Sequence, residues 1–487
     1  MTSIRAWALA ACSLFVDATL AASVPVAVSC VSAAHEYAAL PQPRFDDGPM
    51  IDAADLLHDL DGWLAGMREL NPALELRADM PGLARVAAQI RASLGQPQSR
   101  RAAWTQFALL NPHLGDGHSG VFMPNYRGAL QAHQAAGGRI VPVEVRFARD
   151  GSLRVFSTTA EQGVERGDRL LSINGYPVAA LLHQMLERAP GDSVRHRQAW
   201  VARRFAALYW QLYGDTGEYD IVLQSEGSPC PRALRLGGAT TLPLALQPNP
   251  DAAELVTWRL IGDVGYLRVD SFDSDVQGVL AGVAQQAFAR FAKERVRAIV
   301  IDVRENGGGD DPPWQQSLME YITPKPYAQL SSYAVRVTKE NARPGETVGD
   351  VRHSTYDKRF TPTRDNPLRF DGPVYILVGP YSYSSTIQFA VAAQDFGAAR
   401  IAGEETGGLA CQTGKTRPVA MPRTGLVAVT PGIAFTRPSG EGCRRGVLPD
   451  VPLSVDGIDP DETLRALLGR ISVERSAGRA VAENPVR

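Results

Sequence analysis

Hydrophobic residues recur at steps of three and four through Ile51-Asp-Ala-Ala-Asp-Leu-Leu-His-Asp-Leu60 and Leu83-Ala-Arg-Val-Ala-Ala-Gln-Ile90, a spacing that predicts helices with one apolar face. The stretch from about 50 to 112 therefore reads as a small helical domain. It ends at Leu114-Gly-Asp-Gly-His118-Ser-Gly-Val-Phe-Met123, where two glycines flanking an aspartate set a histidine on a tight turn before a short strand. From about 138 to 240 the pattern changes to short strands, Ile140 to Phe147, Leu153 to Ser157 and Ile221 to Gln224, with helical pieces between them. A joint at Leu246-Gln-Pro-Asn-Pro250 leads into the last domain. There Gly265-Tyr-Leu-Arg-Val269, a helix near Val276 to Ala292, the strand Ala298-Ile-Val-Ile-Asp302 and a helix near Pro313 to Tyr321 alternate. This alternation predicts a layered α/β core on a largely parallel sheet. Residues Lys339 to Phe370 are polar and read as a long surface excursion. Near the end, Leu464, Leu467 and Leu468 share one face of a short helix predicted over Asp461 to about Ile471, and the tail from about Ser476 is expected to be mobile.

Within the core one segment carries chemistry. Val374-Tyr-Ile-Leu-Val378 is a buried-strand pattern, Gly379-Pro-Tyr-Ser-Tyr-Ser384 is a turn, and Ser385-Thr-Ile-Gln-Phe-Ala-Val-Ala-Ala-Gln394 is a helix. A serine at such a junction lies where the first helix amides lack partners and the helix dipole favours developing negative charge. That suits a hydroxyl attacking a carbonyl. A second turn, Gly307-Gly308-Gly309, follows the strand to Asp302 and can offer a further amide to an oxyanion. Together the two turns point to acyl transfer. No Gly-Lys-Ser/Thr follows the glycine run, which argues against a phosphate loop, and Ser384 has no Gly-x-Ser-x-Gly elbow, which argues against an α/β-hydrolase esterase.

The 487 residues suggest two to three domains, and the 45% hydrophobic content with a net charge of -2 is that of an ordinary globular protein. No basic stripe argues for nucleic acid. Residues 1–22 read as a signal peptide: Arg5 is a positive start, Ala6 to Val16 a short apolar run, and Thr19-Leu20-Ala21 offers small residues for cleavage. Export to the periplasm or outside the cell is expected, with no stable membrane span after cleavage. Cys12 leaves with that peptide, so Cys30, Cys230, Cys411 and Cys443 remain for an oxidising compartment. We expect Cys411 and Cys443 to pair. No histidine, cysteine and carboxylate cluster suggests a metal, and no cofactor is expected.

Two resemblances sharpen this picture. Gly163-Val-Glu-Arg-Gly-Asp-Arg-Leu-Leu-Ser-Ile-Asn-Gly-Tyr-Pro-Val178 resembles part of a PDZ domain, a module that adds a peptide to a sheet edge, although Asp192 to Tyr213 departs from a compact one. The order of helical domain, Asp-Gly-His turn, PDZ-like module, Asp-Val-Arg-Glu-Asn-Gly-Gly-Gly, Ser-Tyr-Ser-Ser and Gly403-Glu-Glu-Thr-Gly-Gly408 resembles the C-terminal processing (tail-specific) serine peptidase family. The resemblance implies a layered core of the ClpP/crotonase type over 251–472, an N-terminal helical domain over 23–136, an inserted PDZ-like module over 137–245 and a tail over 473–487. It also implies a serine peptidase that works on polypeptide through an acyl-enzyme.

Residue by residue, the resemblance puts the nucleophile at Ser384, with Ser382 or Ser385 as the outcome of a register shift. The oxyanion donors become the Ser385 amide and Gly308, with Gly307 adjacent. The lysine that the processing branch uses as base falls on Leu409, so that dyad is missing. The tricorn-core-like branch fits better, because it takes a histidine from ahead of the PDZ-like region and a late glutamate. His118 is then the base and Glu441 the orienting carboxylate, with Glu404, Glu405 and Asp116 as competitors and Lys415 as a rival base. The lost lysine also fits a different class, a non-catalytic binding or scaffold protein on the same fold.

Overall fold

The structure, a computed structural model, describes residues 48–159, 163–453 and 458–483. The predicted signal peptide, with Cys12, and Cys30 lie outside the described residues. The strand Ala298–Asp302 is buried at every position and lies between two parallel neighbours, Val264–Val269 and Val374–Val378. Arg400–Gly403 and Val451–Pro452 extend the sheet in parallel on one side, and Val256–Ile261 closes the other side antiparallel, giving six strands. Strands buried on both faces need apolar residues throughout rather than alternation, which is the pattern of Val374–Val378.

Helices cover both faces. Gln277–Lys293 buries Leu280, Ala284, Phe288 and Phe291 on one of them. Leu464, Leu467 and Ile471 of Pro460–Glu483 pack on the other, against Tyr266, Val300 and Leu377. Burial of each such leucine or phenylalanine contributes about 1.5–3 kcal/mol. The last helix is longer than the predicted Asp461 to Ile471, because the pattern of apolar residues fades after Ile471 while the helix continues.

A second sheet closes the molecule between its two ends. Gly120–Phe122 pairs antiparallel with Val427–Thr436, which also pairs with Thr413–Val419 and Ser332–Arg336. The hairpin partner of Ser332–Arg336 is Val351–Thr355, inside the segment expected to be a surface excursion. This edge strand buries neither face fully, so it leaves no alternation to read. The helix predicted near Pro313 to Tyr321 is two short turns, Pro312–Ser317 and Met319–Ile322.

Residues 137–245 contain a third, largely antiparallel sheet in the order Val143–Phe147, Leu153–Thr158, Arg169–Ile173, Glu218–Gln224, Arg232–Gly237, with the helices Val194–Arg203 and Phe205–Tyr213 inserted before its last two strands. Its apolar core is continuous with that of the N-terminal helices, where Leu56, Leu60, Trp63 and Met67 of Ala53–Leu70 are fully buried. Against the α/β core it docks through charge. Glu305, after the central strand, accepts from Arg146 at 2.9 Å and from Arg203.

Candidate active site

Both predicted turns end at the same place. The strand Val374–Val378 runs into a turn whose last residue, Ser384, has φ 55° and ψ −122°, a conformation that a side chain adopts only under local constraint. The constraint is visible in its neighbours. Gln412 Nε2 donates to the Ser384 carbonyl at 2.7 Å, and the Ile387 and Gln388 amides donate to that same carbonyl at 2.9 and 3.1 Å. The strain aims the Ser384 hydroxyl into a cavity of about 320 Å³ lined also by His118, Gly309, Gln412 and Lys415.

His118 arrives from the other end of the chain. The 3-10 helix Ala108–Leu114 stops at Gly115, which has φ 58°, and the Asp116 carboxylate accepts from the His118 amide at 2.8 Å. The following strand pairing fixes the turn beside the core. His118 Nε2 lies 2.9 Å from Ser384 Oγ, across a separation of 266 residues. The ring is buried at 8% exposure.

The other two serines of the turn are engaged elsewhere. Ser382 Oγ donates to the Val303 carbonyl at 2.8 Å, and Ser385 Oγ donates to the Asp310 carbonyl at 2.7 Å. Only Ser384 meets the imidazole.

The glycine turn differs in detail from expectation. Gly308 is the residue pressed against Ser384, but its amide points inward and donates to Asn306 Oδ1 at 2.9 Å, while Gly307 lies against the Tyr381 ring. Gly309 lines the cavity instead. Among the described residues the Gly309 and Ser385 amides have no acceptor.

The structure does not bring Glu441 to His118. Arg437 pairs with Asp395 and the Ser439 amide donates to Asp395 at 2.9 Å, which seats the 437–443 loop at the C-terminal end of the helix Ser385–Asp395. Ser384 is at the opposite end, about 16 Å away for 11 residues at 1.5 Å each. Glu441 is exposed there. The disulfide between Cys411 and Cys443, as expected from the sequence, ties the same loop to the residue before Gln412. Glu404 and Glu405 pair with Arg195 and Arg445, and Lys415 is an exposed residue of the cavity wall.

Behind the imidazole stand Asp116, which the sequence offered as a competitor for the orienting carboxylate, and Tyr383, Thr413, Asp192 and Arg77, which sequence reasoning did not single out. His118 Nδ1 lies 2.9 Å from Tyr383 Oη and 3.2 Å from Thr413 Oγ1. Tyr383 donates to Asp192 Oδ1 at 2.8 Å, and Thr413 donates to Asp116 at 2.8 and 2.9 Å. Arg77 reaches Asp192 at 3.3 Å and Asp116 at 4.0 Å. Burial and the charges of Asp192 and Asp116 push the Tyr383 phenol well above its usual range, so it stays a donor. Burial pushes Asp116 up, but the neighbouring His118 and the charge of Arg77 outweigh it and hold the carboxyl at about 2.

Residues 263–453, which include the glycine turn, the serine and Thr413, match the sequence model of peptidase family S41. This segment is a peptidase family S41 domain. A peptidase domain of this family makes the protein an enzyme, a serine-type peptidase. In three dimensions the chain is similar to mature CPAF, with 16% identity, a TM-score of 0.59, and coverage of 82% of this chain and 93% of that one. It is likewise similar to mature CPAF complexed with lactacystin, at 17% identity and a TM-score of 0.61, covering 88% and 99%. The photosystem II D1 C-terminal processing protease aligns at 18% identity over 82% and 93%, with a TM-score of 0.43. The CPAF likeness extends the shared fold beyond the S41 segment, to the N-terminal part that carries His118. No helix among the described residues is long and apolar enough to cross a membrane, and no group of three or more histidine, cysteine or carboxylate side chains among them is placed to hold a metal.

Proposed function

We propose that this S41 peptidase cleaves polypeptide through an acyl-enzyme on Ser384, with His118 as general base and then general acid. The observation that carries the reading is the 2.9 Å contact between His118 Nε2 and a serine oxygen held at a strained strand-to-helix turn. Serine is a weak nucleophile at neutral pH, and an imidazole at this distance accepts its proton as Oγ attacks the carbonyl carbon. The Ser385 and Gly309 amides, which have no acceptor among the described residues and belong to residues lining the cavity, are the oxyanion donors in this reading, and each such donor is worth about 3 kcal/mol of barrier. His118 then gives the proton to the leaving amine. Water, deprotonated by the same nitrogen, releases the acyl group and restores the serine.

The sheet of residues 137–245 has Val143–Phe147 and Arg232–Gly237 as its outer strands, and an outer strand is where an extended peptide adds. In this reading the module recruits extended polypeptide or a C-terminus to the core, and the enzyme works in the periplasm or outside the cell.

The deciding experiment is cleavage of an unfolded polypeptide, with labelling by a fluorophosphonate, for the wild type, Ser384→Ala and His118→Ala. Labelling and cleavage lost in Ser384→Ala and strongly reduced in His118→Ala support the assignment. Undiminished cleavage in Ser384→Ala removes it.

A further inference from the structure

The imidazole of a serine hydrolase needs an acceptor at Nδ1, to keep the proton off Nε2 and to stabilise the imidazolium when it forms. A carboxylate does this directly in most such sites. Among the described residues none lies within hydrogen-bond distance of Nδ1, and the nearest, Asp116, is 3.7 Å away. Two hydroxyl oxygens take the position instead, Tyr383 Oη at 2.9 Å and Thr413 Oγ1 at 3.2 Å.

Each hydroxyl has a single proton to donate, and in each case a buried carboxylate takes it. Tyr383 is committed to Asp192, and Thr413 to Asp116. Both oxygens therefore turn lone pairs toward Nδ1, which must carry the hydrogen, and Nε2 is left bare toward Ser384.

The Asp192 side chain is completely buried, and it is a hub. It accepts from the Gly117 amide at 2.8 Å, in the histidine turn, and from the Leu409 amide at 3.0 Å, at the position where the processing branch has lysine. Two carboxylates share one guanidinium, Arg77, so the cluster keeps one uncompensated negative charge behind the ring. A net negative charge at that place favours imidazolium.

We propose that Asp192 and Asp116, acting through the hydroxyls of Tyr383 and Thr413, together serve as the orienting carboxylate of His118. They are positioning residues, and the proposal rests on His118 and Ser384 being the base and the nucleophile. Asp192 belongs to the stretch that breaks the PDZ-like pattern, so the departure from a compact module delivers the charge.

The test is the pH dependence of the second-order rate of fluorophosphonate labelling, which needs no knowledge of the substrate. Behind the ring the charged and titratable groups are Asp116, Asp192, Arg77, Tyr383 and His196, the last with its ring tilted against Tyr383 at 4.0 Å between centroids. Across the cavity they are Asp310, Asp311 and Lys415. Asp192→Asn and Asp116→Asn each lower the rate at least about tenfold, and the double variant lowers it on the order of 10³-fold or more. In each, the acid limb of the profile moves to lower pH, because imidazolium has lost its stabilising charge. A packing defect alone would leave the limb in place.

Action through the hydroxyls is read from cycles. In a Tyr383→Phe background, Asp192→Asn costs less than about twofold further, and Thr413→Ser keeps the rate that Thr413→Val loses. Tyr383→Phe also serves as the probe if Asp192→Asn does not fold. Glu441→Gln leaves the limb where it is. An unmoved acid limb in the aspartate variants, full additivity in the cycle, or a limb shift in Glu441→Gln overturns the proposal. Labelling that survives Ser384→Ala overturns the underlying assignment of the nucleophile instead, whatever the aspartate variants show.

Discussion

Gly308 and Ser384 are in such close contact that a methyl group on the glycine would lie 2.6 Å from the serine Cβ. Gly308 also has φ 110°, outside the range that other residues adopt easily. Gly308→Ala must therefore displace the serine or distort the turn. A displacement of about 1 Å at a reacting centre costs on the order of 100-fold in rate. We expect the fluorophosphonate labelling rate of Gly308→Ala to fall by at least that factor, while circular dichroism shows a folded protein.

Asn306 joins the two turns. Its Oδ1 accepts from the Gly308 amide at 2.9 Å and from Thr386 Oγ1 at 2.6 Å, and it is fully buried. Asn306→Ala leaves both donors without an acceptor, at about 1–3 kcal/mol each. Urea denaturation should show a lower midpoint with an unchanged slope, and labelling should slow as the turns part.

Acid should destabilise the fold in two windows. Burial pushes His196 down to about 4, against about 6.5 when unfolded, so the unfolded chain binds the proton more readily and stability falls as pH drops from 6.5 towards 4. Burial raises Glu305, but Arg146, Arg203 and Arg304 outweigh it and bring it to about 2, against about 4.3 when unfolded. Its contribution is present above 4.3 and is lost as pH falls towards 2, and Asp116 behaves in the same sense. The Tm of Glu305→Gln should be lower at pH 7 and flatter below pH 4.3 than that of the wild type. A parallel curve would contradict the assignment of that window.

The Cys411–Cys443 bond closes a loop over 32 residues, which by chain entropy is worth about 3–4 kcal/mol. It also fixes the residue preceding Gln412 and Thr413, which hold the Ser384 carbonyl and face His118. Cys411→Ser/Cys443→Ser should lower the Tm and slow labelling together. A loss of Tm with unchanged labelling would limit the bond to stability.

Much of this site could be read locally. Ser384 and His118 both sit on turns whose glycines and flanking elements carry a signal within ten residues, and the buried strand Ala298–Asp302 shows its burial in composition alone. Glu441 was misplaced because spacing along the chain says nothing about which end of a helix a loop docks against. Asp192 gave no catalytic signal because Asp192-Ser193 ahead of Val194–Arg203 reads as a helix cap, and Ser193 does cap that helix. Its partner Tyr383 is 191 residues away, and only packing brings them together. Gly308, with Gly307 adjacent, reads as the amide donor of the glycine turn, but the direction of an amide depends on the Asn306 side chain, which the local sequence does not fix.

The strand that receives Gly120–Phe122 is Val427–Thr436. A chain emerging from synthesis thus carries its imidazole for some three hundred residues before the surface that seats it exists. The contact between His118 and Ser384 therefore cannot be seated in the growing polypeptide until almost all of it has been made.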